Sequence, residues 1–254
     1  MARYTYRELK PTPEAEAAYT RWIAYLDEEF TRHQDAEGRA EIVRDELHRL
    51  YLGRTTDGLA GTALEFSFDS RNVTLEPEYY GDIDAKKYAA VKPLIWFWQM
   101  YDRSPLGLNH WLGFRFRAML GRHIFKHLGK NVKIFHGVEV SFGYNLTIED
   151  NCTIHKFVLL DDRGEIIVRE GSSISDYANV YSHTHDIVDS SDVTNRATEI
   201  GPRARVTYHA TVLAGTKIGE DAMLGAMGVA THDVPPSTVS AGIPARPIRA
   251  KTRH

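Results

Sequence analysis

Two histidines that stand two positions apart, His183 and His185, are the side chains of this sequence best suited to acid–base or metal chemistry. They lie in the stretch VYSHTHDIVDSSDVTN, residues 180–195. Imidazole titrates near pH 6.5 and can take a proton from a hydroxyl group or bind a metal ion. On extended backbone, residues i and i+2 point to the same side. The pair therefore predicts a general base with a neighbour, two ligands of a metal site, or two loop histidines without a role.

A six-residue period in the second half of the chain predicts the scaffold that holds these histidines. Branched aliphatic residues recur at every sixth position, and small residues follow them four positions later. The aliphatic series is Ile200, Val206, Val212, Ile218 and Leu224, and the small series is Ala204, Ala210, Thr216, Ala222 and Gly228. This period fits neither a helix nor an alternating strand, but it fits a chain that turns a corner every six residues. We therefore predict a parallel β-helix with one aliphatic side chain per face in its core.

The histidines lie where this period is interrupted. The repeat stops at Val180 and resumes at Ile200, which is 20 positions further on instead of six. A second break lies at LLDDRGEI, where two extra residues enter between Leu160 and Val168. Insertions in a solenoid emerge as loops on one face, often the binding face. We therefore expect His183 and His185 at the base of a loop beside a binding surface.

The repeats, the segment that begins SHTHD and the closing stretch LGAMGVATHDVPPSTVSAGIPARPIR resemble the hexapeptide-repeat O-acetyltransferases over about residues 110–250. Within that family, the sequence is similar to the galactoside, maltose, nodulation and exopolysaccharide acetyltransferases. The resemblance implies a left-handed parallel β-helix and a homotrimer with active sites between neighbouring helices. It also implies direct acetyl transfer from acetyl-CoA to a hydroxyl of a sugar or glycan-like acceptor, without a metal. His185 matches the family's general base.

The resemblance further implies residues that bind the acceptor. Asp162, the second acid of LLDDRGEI, matches a carboxylate that accepts hydrogen bonds from acceptor hydroxyls, although Asp-Asp-x-Gly is equally good turn chemistry. His183 is expected to support the base or face the substrate, and His155 lies nearest to the position of a family asparagine. The carboxylate that would orient His185 stays open among Asp186, Asp189, Asp192 and Glu199.

Along the last repeats, the resemblance implies a binding site for acetyl-CoA. Its expected contacts, from the thioester outward to the phosphates, are Tyr208, Ala226, Thr231, His232, Arg246 and Arg249. Tyr208 replaces the small residue usual at its position, so an oxyanion contact there would come from the backbone N–H. From Val234 onward the chain carries Arg246, Arg249, Lys251 and Arg253 and no acid. This basic tail suits a cofactor with several phosphates.

Two other functions stay open at this point. One is a metal-dependent hydratase of the γ-carbonic anhydrase type, for which His155 and His209 are possible further ligands. The other is a trimeric scaffold that has no catalytic activity. Cys152, the only cysteine, occupies a small-residue position of the repeat, so we expect a core residue and no nucleophile.

The first half of the chain reads as helical, and we predict a helical N-terminal region over residues 1–130 and a β-helix domain over residues 131–254. Between Arg103 and Val138 there are seven Lys or Arg residues and no acid. Membrane contact of residues 103–130 is one interpretation, but a helix that covers the start of the solenoid is favoured because the whole chain has a net charge of −3.

The composition is that of a globular protein, with 43% hydrophobic and 26% charged residues. The slightly acidic balance gives no reason to expect nucleic acid as a partner. A single cysteine excludes an intrachain disulfide, and the sequence shows no apolar signal segment or membrane span. These features predict a cytoplasmic protein.

Overall fold

The computed structural model describes residues 10–54 and 59–251, in which a helical region precedes a β-helix. The helices are α1 (Pro13–Arg32), α2 (Ala36–Leu52), α3 (Ala63–Phe68), α4 (Ala85–Arg103) and α5 (His110–Ile124). Two short 3-10 helices, Ser70–Asn72 and Glu76–Tyr79, connect α3 to α4. The first half is therefore helical, as predicted from its sequence.

Polar side chains set the helix boundaries. Asp35 Oδ1 accepts a hydrogen bond from the Gly38 N–H at 2.8 Å and begins α2, and Gly53 ends that helix in a left-handed conformation with φ of 67°. Aromatic rings join the helices to each other. The Phe116 ring stacks on Tyr101 at 3.9 Å and on Trp22 at 5.3 Å between ring centroids. Stacked aromatic rings of this kind bury large apolar areas, and they hold α1, α4 and α5 in one core.

Short strands follow the helices in a regular order. They are β1 (His127–Leu128), β2 (Lys133–Ile134), β3 (Glu139–Val140), β4 (Leu146–Ile148), β5 (Thr153–Ile154), β6 (Leu159–Asp161), β7 (Ile166–Val168), β8 (Ser173–Ile174), β9 (Asn179–Tyr181), β10 (His183–His185), β11 (Val193–Asn195), β12 (Thr198–Ile200), β13 (Arg205–Val206), β14 (Thr211–Val212), β15 (Lys217–Ile218), β16 (Met223–Leu224), β17 (Val229–Ala230), β18 (Thr238–Ala241) and β19 (Arg246–Ala250).

All of these strands except β10 and β11, which pair only with each other, form three sheets that make the faces of a triangular prism. The first sheet has the order β1-β4-β7-β12-β15, the second β2-β5-β8-β13-β16-β18-β19, and the third β3-β6-β9-β14-β17. All pairings in them are parallel except β18 with β19, which is antiparallel. The predicted fold class, a parallel β-helix preceded by a helical region, is confirmed.

The aliphatic residues of the six-residue period fill the interior of the prism. Ile200, Val206, Val212, Ile218 and Leu224 are all fully buried. Parallel pairing stacks equivalent residues of successive coils, for example Ile174 on Val206 and Val206 on Leu224. Cys152 is also fully buried, and burial raises the pKa of its thiol to about 11. A thiol in this environment is a core residue, as expected, because a nucleophile needs the thiolate form.

The edges of the prism are the corners at which the chain passes between sheets. The second edge joins the second sheet to the third and comprises residues 135–137, 155–157, 175–177, 207–209 and 225–227. The third edge joins the third sheet to the first and comprises residues 141–145, 161–165, 181–197, 213–216 and 231–233. At the second edge, Phe157, Tyr177, His209 and Met227 all have φ between 56° and 61°. A left-handed residue at each corner gives the sharp bend that closes the coil.

Side chains of α4 and α5 bind the backbone of the first coil. Trp98 Nε1 donates to the Val138 carbonyl at 3.1 Å, and Arg117 Nη1 donates to the Ile134 carbonyl at 3.2 Å. Asp102 accepts from the Gly137 N–H at 2.8 Å and pairs with the buried Arg117. The helical region therefore covers the open end of the β-helix and satisfies backbone groups that no strand pairs.

Acids from elsewhere pair with several cations of the basic stretch between Arg103 and Val138, the buried Arg117 among them. Arg122 pairs with Asp27 at 2.9 Å, and Lys126 pairs with Glu165. This arrangement agrees with the favoured interpretation, a helix that covers the solenoid. Among residues 10–54 and 59–251, no helix is long and apolar enough to cross a membrane.

Candidate active site

The residues that leave the coil after β9 form a hairpin on the third edge. Strand β10 pairs with β11 in antiparallel orientation, with His183 opposite Asn195 and His185 opposite Val193. The rings of His183 and His185 lie 5.3 Å apart between centroids and are nearly perpendicular at 82°. Both histidines therefore stand together at the base of an inserted loop, as the interruption of the repeat predicts.

His185 is exposed, and its ring is oriented by a backbone carbonyl. Its Nδ1 lies 2.7 Å from the Ser190 carbonyl oxygen. A carbonyl oxygen can only accept, so Nδ1 carries the hydrogen and Nε2 of the neutral ring is free to take a proton. None of the four acids considered from the sequence makes this contact. Asp186 and Asp189 instead accept hydrogen bonds from backbone N–H groups of the hairpin turn, Val188 and Ser191 among them.

His183 faces an acidic partner from the preceding coil. Its Nδ1 lies 2.8 Å from Asp161 Oδ2, although the ring N–H is not aligned for a good hydrogen bond. Asp161 Oδ1 accepts from the Ser141 hydroxyl at 2.9 Å. Burial lowers the pKa of His183, and the attraction of Asp161 opposes that shift. Ser141, Asp161 and Tyr181 occupy the same register in successive coils, so the ladder brings Asp161 beside the histidine hairpin.

Asp162 occupies a different environment from Asp161. Its side chain is fully buried, and its two oxygens accept the N–H groups of Phe142 at 2.8 Å and Asn145 at 3.2 Å. Burial raises the pKa of Asp162 to about 6, although the backbone hydrogen bonds oppose the rise. This carboxyl group therefore holds the corner at residues 142–145. The structure does not bring it together with the histidines as the predicted acceptor role requires, and Asp161 is the acid that faces them.

A small cleft beside His183 is walled partly by the helical region, a contribution that the sequence did not reveal. Its lining residues are Glu76, Pro77, Tyr80, Ser141, Phe142, Asp161, Arg163 and His183. Its cavity volume is about 30 Å³, far below the roughly 300 Å³ or more of pockets that enclose a whole small-molecule ligand. It therefore admits a hydroxyl-bearing edge of a ligand and leaves the rest of a sugar outside.

Arg163 is the cation that lines this cleft, and one side of its guanidinium is paired with a carboxylate. Its Nε and Nη2 donate to the two carboxylate oxygens of Asp82 at 3.1 and 3.0 Å, and it lies over the Tyr80 ring at 4.3 Å. Asp82 also accepts from Asn195 Nδ2 at 3.3 Å. Asp82 therefore links the helical region to both the third edge and the histidine hairpin.

The other sequence-predicted residues lie on a different edge or in later coils. His155, Tyr208 and Ala226 are on the second edge, one whole face away from His183 and His185. The His155 ring stacks on Phe135 at 4.9 Å, and burial lowers its pKa. Tyr208 and Ala226 occupy neighbouring coils in matching register, and both are exposed. Within one chain, the second edge therefore does not reach the histidine hairpin.

Thr231 and His232 lie on the third edge, two coils beyond Tyr181, and the Thr231 hydroxyl is 2.9 Å from His232 Nδ1. Arg246 and Arg249 are exposed on β19. Lys251 of the basic tail is paired with Asp221 at 2.6 Å, and Arg253 lies outside the described residues.

Metal binding was one reading of the histidines. Across residues 10–54 and 59–251, no group of three or more His, Cys, Asp or Glu side chains is arranged to hold a metal ion. His209, a possible further ligand, stacks on the Tyr177 ring at 5.0 Å with an interplanar angle of 3°.

Known proteins resemble this chain in both sequence and fold. No model of a known protein family matches it. WcaF of Escherichia coli K12, an acetyltransferase named for colanic acid biosynthesis, is 30% identical over 171 residues, which cover 66% of this chain and 88% of WcaF. The dTDP-4-amino-4,6-dideoxy-D-glucose acyltransferase of Escherichia coli is 29% identical over 161 residues, which cover 51% of this chain and 84% of that protein.

A solved structure extends the comparison to the fold. The hexapeptide-repeat-containing acetyltransferase of Vibrio cholerae, in complex with acetyl coenzyme A, superposes with a TM-score of 0.59 at 20% identity. The match covers 73% of this chain and 100% of that one. At this identity the likeness shows the shared fold.

Proposed function

Because the chain belongs to the hexapeptide-repeat acetyltransferases, we propose that it transfers an acetyl group from acetyl-CoA to a hydroxyl of a sugar or glycan-like acceptor. The observation that carries the proposal is the contact between His185 Nδ1 and the Ser190 carbonyl at 2.7 Å. It leaves Nε2 as a proton acceptor on an exposed hairpin beside the small cleft that His183 lines. Membership of an acetyltransferase family also favours this function over the hydratase and the scaffold.

The proposed reaction is a direct transfer. His185 Nε2 takes the acceptor's hydroxyl proton as the oxygen attacks the thioester carbonyl carbon. The carbon–sulfur bond then breaks, the acetyl ester forms, and the CoA thiolate takes the proton back from the imidazolium. Asp161 and His183 orient the acceptor, since carboxylate oxygens accept hydrogen bonds from vicinal hydroxyls. We assign this role to Asp161 in place of Asp162 because its carboxylate borders the cleft.

Acetyl-CoA is proposed to lie along the second edge and the final coils. The Tyr208 N–H makes no hydrogen bond to any residue in the described ranges, so it is available to stabilise the oxyanion. Ala226 leaves room for the pantetheine arm beside it. Thr231 and His232 would contact the cofactor further out, and Arg246 and Arg249 on exposed β19 would meet its phosphates.

This arrangement requires a second copy of the chain, and we propose a homotrimer. Tyr208 and Ala226 are separated from His185 by a whole face of the prism. A site that uses both edges is complete only where the third edge of one copy meets the second edge of the next, and cyclic symmetry repeats that contact. The hairpin tip supports such an interface, because Ile187 and Val188 are almost completely exposed in the single chain.

A second candidate acceptor is an amine of an amino sugar. The relative that is 29% identical is named for a 4-amino sugar, and the cleft contains Asp161, which would attract an ammonium group. Amine and hydroxyl acceptors of the same sugar, compared in one assay, distinguish the two. Faster turnover with the amine would mean that the protein is an N-acetyltransferase and would overturn the proposed O-acetyl transfer.

The test is release of free CoA thiol from acetyl-CoA in the presence of a panel of sugars. We expect His185→Ala to lower kcat by about 10² or more, the usual loss for a general base. His127→Ala is the matched control, because His127 is exposed on β1 in the first coil. Unchanged turnover in His185→Ala would exclude the proposed role of this residue.

A further inference from the structure

The cleft beside His183 has an uneven balance of charge. Its acids are Asp161 and Glu76, with Asp82 immediately behind, and its one fixed cation is Arg163. The Arg163 side chain is only 5% exposed and binds both carboxylate oxygens of Asp82. Its charge is therefore already neutralised, which leaves Asp161 and Glu76 as the net charge that faces a ligand.

The remaining groups of the cleft add no positive charge. Burial lowers the pKa of His183, which favours the neutral ring at neutral pH. Tyr80 covers the guanidinium of Arg163 with its ring and donates its hydroxyl hydrogen to Glu76 at 3.0 Å. Hydroxyl groups of a ligand can donate to the two carboxylates, whereas a carboxylate or phosphate of a ligand would meet like charge.

We propose that this cleft selects the acceptor by charge, and that Asp82 is the residue that determines this specificity. The cleft accepts an uncharged polyhydroxyl ring next to the reacting hydroxyl and rejects a ring that carries a carboxylate or phosphate there. Asp82 acts through Arg163, because it neutralises a cation that would otherwise bind an anionic ring. The inference rests on the proposed function and adds the class of acceptor.

Matched pairs of acceptors test the inference. Each pair consists of a methyl hexoside and the methyl hexuronide of the same configuration (gluco, galacto and manno), with thiol release from acetyl-CoA as the readout. The selectivity ratio is kcat/KM for the hexoside divided by kcat/KM for the hexuronide of the same pair. For the best pair, the wild-type selectivity ratio is expected to be about ten or more, since like charges placed together are strongly unfavourable. In Asp82→Asn, this ratio is expected to fall about fivefold or more, because Arg163 is released.

Asp84→Asn is the matched control. It makes the same change of charge two residues away, outside the cleft, and asparagine caps α4 as well as aspartate does. The kcat/KM ratio of hexoside to hexuronide in Asp84→Asn should equal that of the wild type. Glu76→Gln is the second variant, for the case that Asp82→Asn does not fold, and it should also lower the ratio because it removes an acid from the cleft rim.

The outcomes separate the two proposals. Thiol release with no sugar of any pair would refute acetyl transfer to sugars and remove the premise. Thiol release that is as fast with hexuronides as with hexosides would overturn charge selection and leave acetyl transfer standing. An equal change of ratio in Asp82→Asn and Asp84→Asn would overturn the role of Asp82.

Discussion

The second and third edges of the β-helix arise from the same six-residue repeat, but only the second edge keeps that repeat without interruption. At the second edge, a left-handed residue turns every corner and the exposed side chains stack in a column, as Phe157, Tyr177 and His209 do. At the third edge, a buried carboxyl group holds the corner at residues 142–145, and the hairpin of β10 and β11 projects from the coil. One edge is periodic along its length, and the other is interrupted twice.

This difference separates two kinds of binding surface. A periodic edge presents backbone groups at the regular spacing of its strands, which suits a long ligand that lies along it. An interrupted edge can place histidine and aspartate side chains where the repeat requires aliphatic or small ones. In this chain the interrupted edge carries His185 with its carbonyl partner, and His183 with Asp161 2.8 Å away. Under the proposed function, the general base stands on the interrupted edge, and Tyr208 and Ala226 at the thioester end of the cofactor lie on the periodic edge.

Mixed trimers test this separation with the largest expected effect. His185→Ala removes the base, and Ala226→Trp blocks the second edge at an exposed position. Each variant alone is expected to lose about 10² or more in turnover. When the two chains carry different tags and are co-purified, about one third of the wild-type rate should return, because one interface of each mixed trimer is intact.

The control for that experiment pairs His185→Ala with the double variant His185→Ala/Ala226→Trp, which supplies no base anywhere. Its mixed trimers should remain at background. If the first mixture also remains at background while both variants fold and assemble, the two edges do not meet in one active site.

A smaller effect is expected for the buried carboxyl group of the third edge. The pKa of Asp162 in the folded protein, about 6, lies above its ordinary value near 4, so the protonated form is the one that folding favours. Its contribution to the free energy of unfolding is therefore complete below pH 4 and is lost, by about 2–3 kcal/mol, as pH rises through 6. Asp162→Asn lacks this titration.

Urea unfolding of both proteins at pH 4 and pH 7.5 measures the effect. The stability of the wild type relative to Asp162→Asn should decrease with rising pH. A difference that is the same at both pH values would show that Asp162 does not titrate in this range.

The smallest effect is expected at a corner of the second edge. Gly137 has φ of 73°, and a Cβ atom there would approach the Phe157 ring to 2.4 Å. Gly137→Ala should therefore lower the free energy of unfolding by about 1–3 kcal/mol. Phe157→Ala in the same chain should recover part of the loss, which a double-mutant cycle measures. Without such coupling, the backbone conformation alone would account for the cost.

The sequence predicted the periodic part of the fold well because each coil repeats one simple pattern. Burial of Ile200, Val206 and Val212 follows directly from their spacing, and so does the departure of the chain from the coil at His183 and His185, although the pairing of β10 with β11 was not predicted. The irregular stretch from residue 54 to 90 gave no such signal. Glu76, Tyr80 and Asp82 reach the cleft only through tertiary packing, which no local pattern encodes.

Two neighbouring residues at the end of a short strand set a second limit on prediction. Asp161 and Asp162 are adjacent and chemically alike, so their sequence does not tell which one points to the cleft. The register of β3, β6 and β9 decides it, because Asp161 lies between Ser141 and Tyr181. The hydrogen-bond partner of His185 Nδ1 was likewise not predicted. It is a backbone carbonyl, whereas the sequence offered four nearby acids as candidates.

The cover that α4 and α5 place over the first coil also limits how molecules associate. A solenoid with a bare terminal coil offers a row of unpaired amides and carbonyls on which another molecule can grow, end to end, into a filament. Trp98, Asp102 and Arg117 occupy such groups on the first coil, and β19 folds back against the last strand of the second sheet. These contacts occupy backbone groups that would otherwise pair with the end of another copy, which disfavours growth end to end.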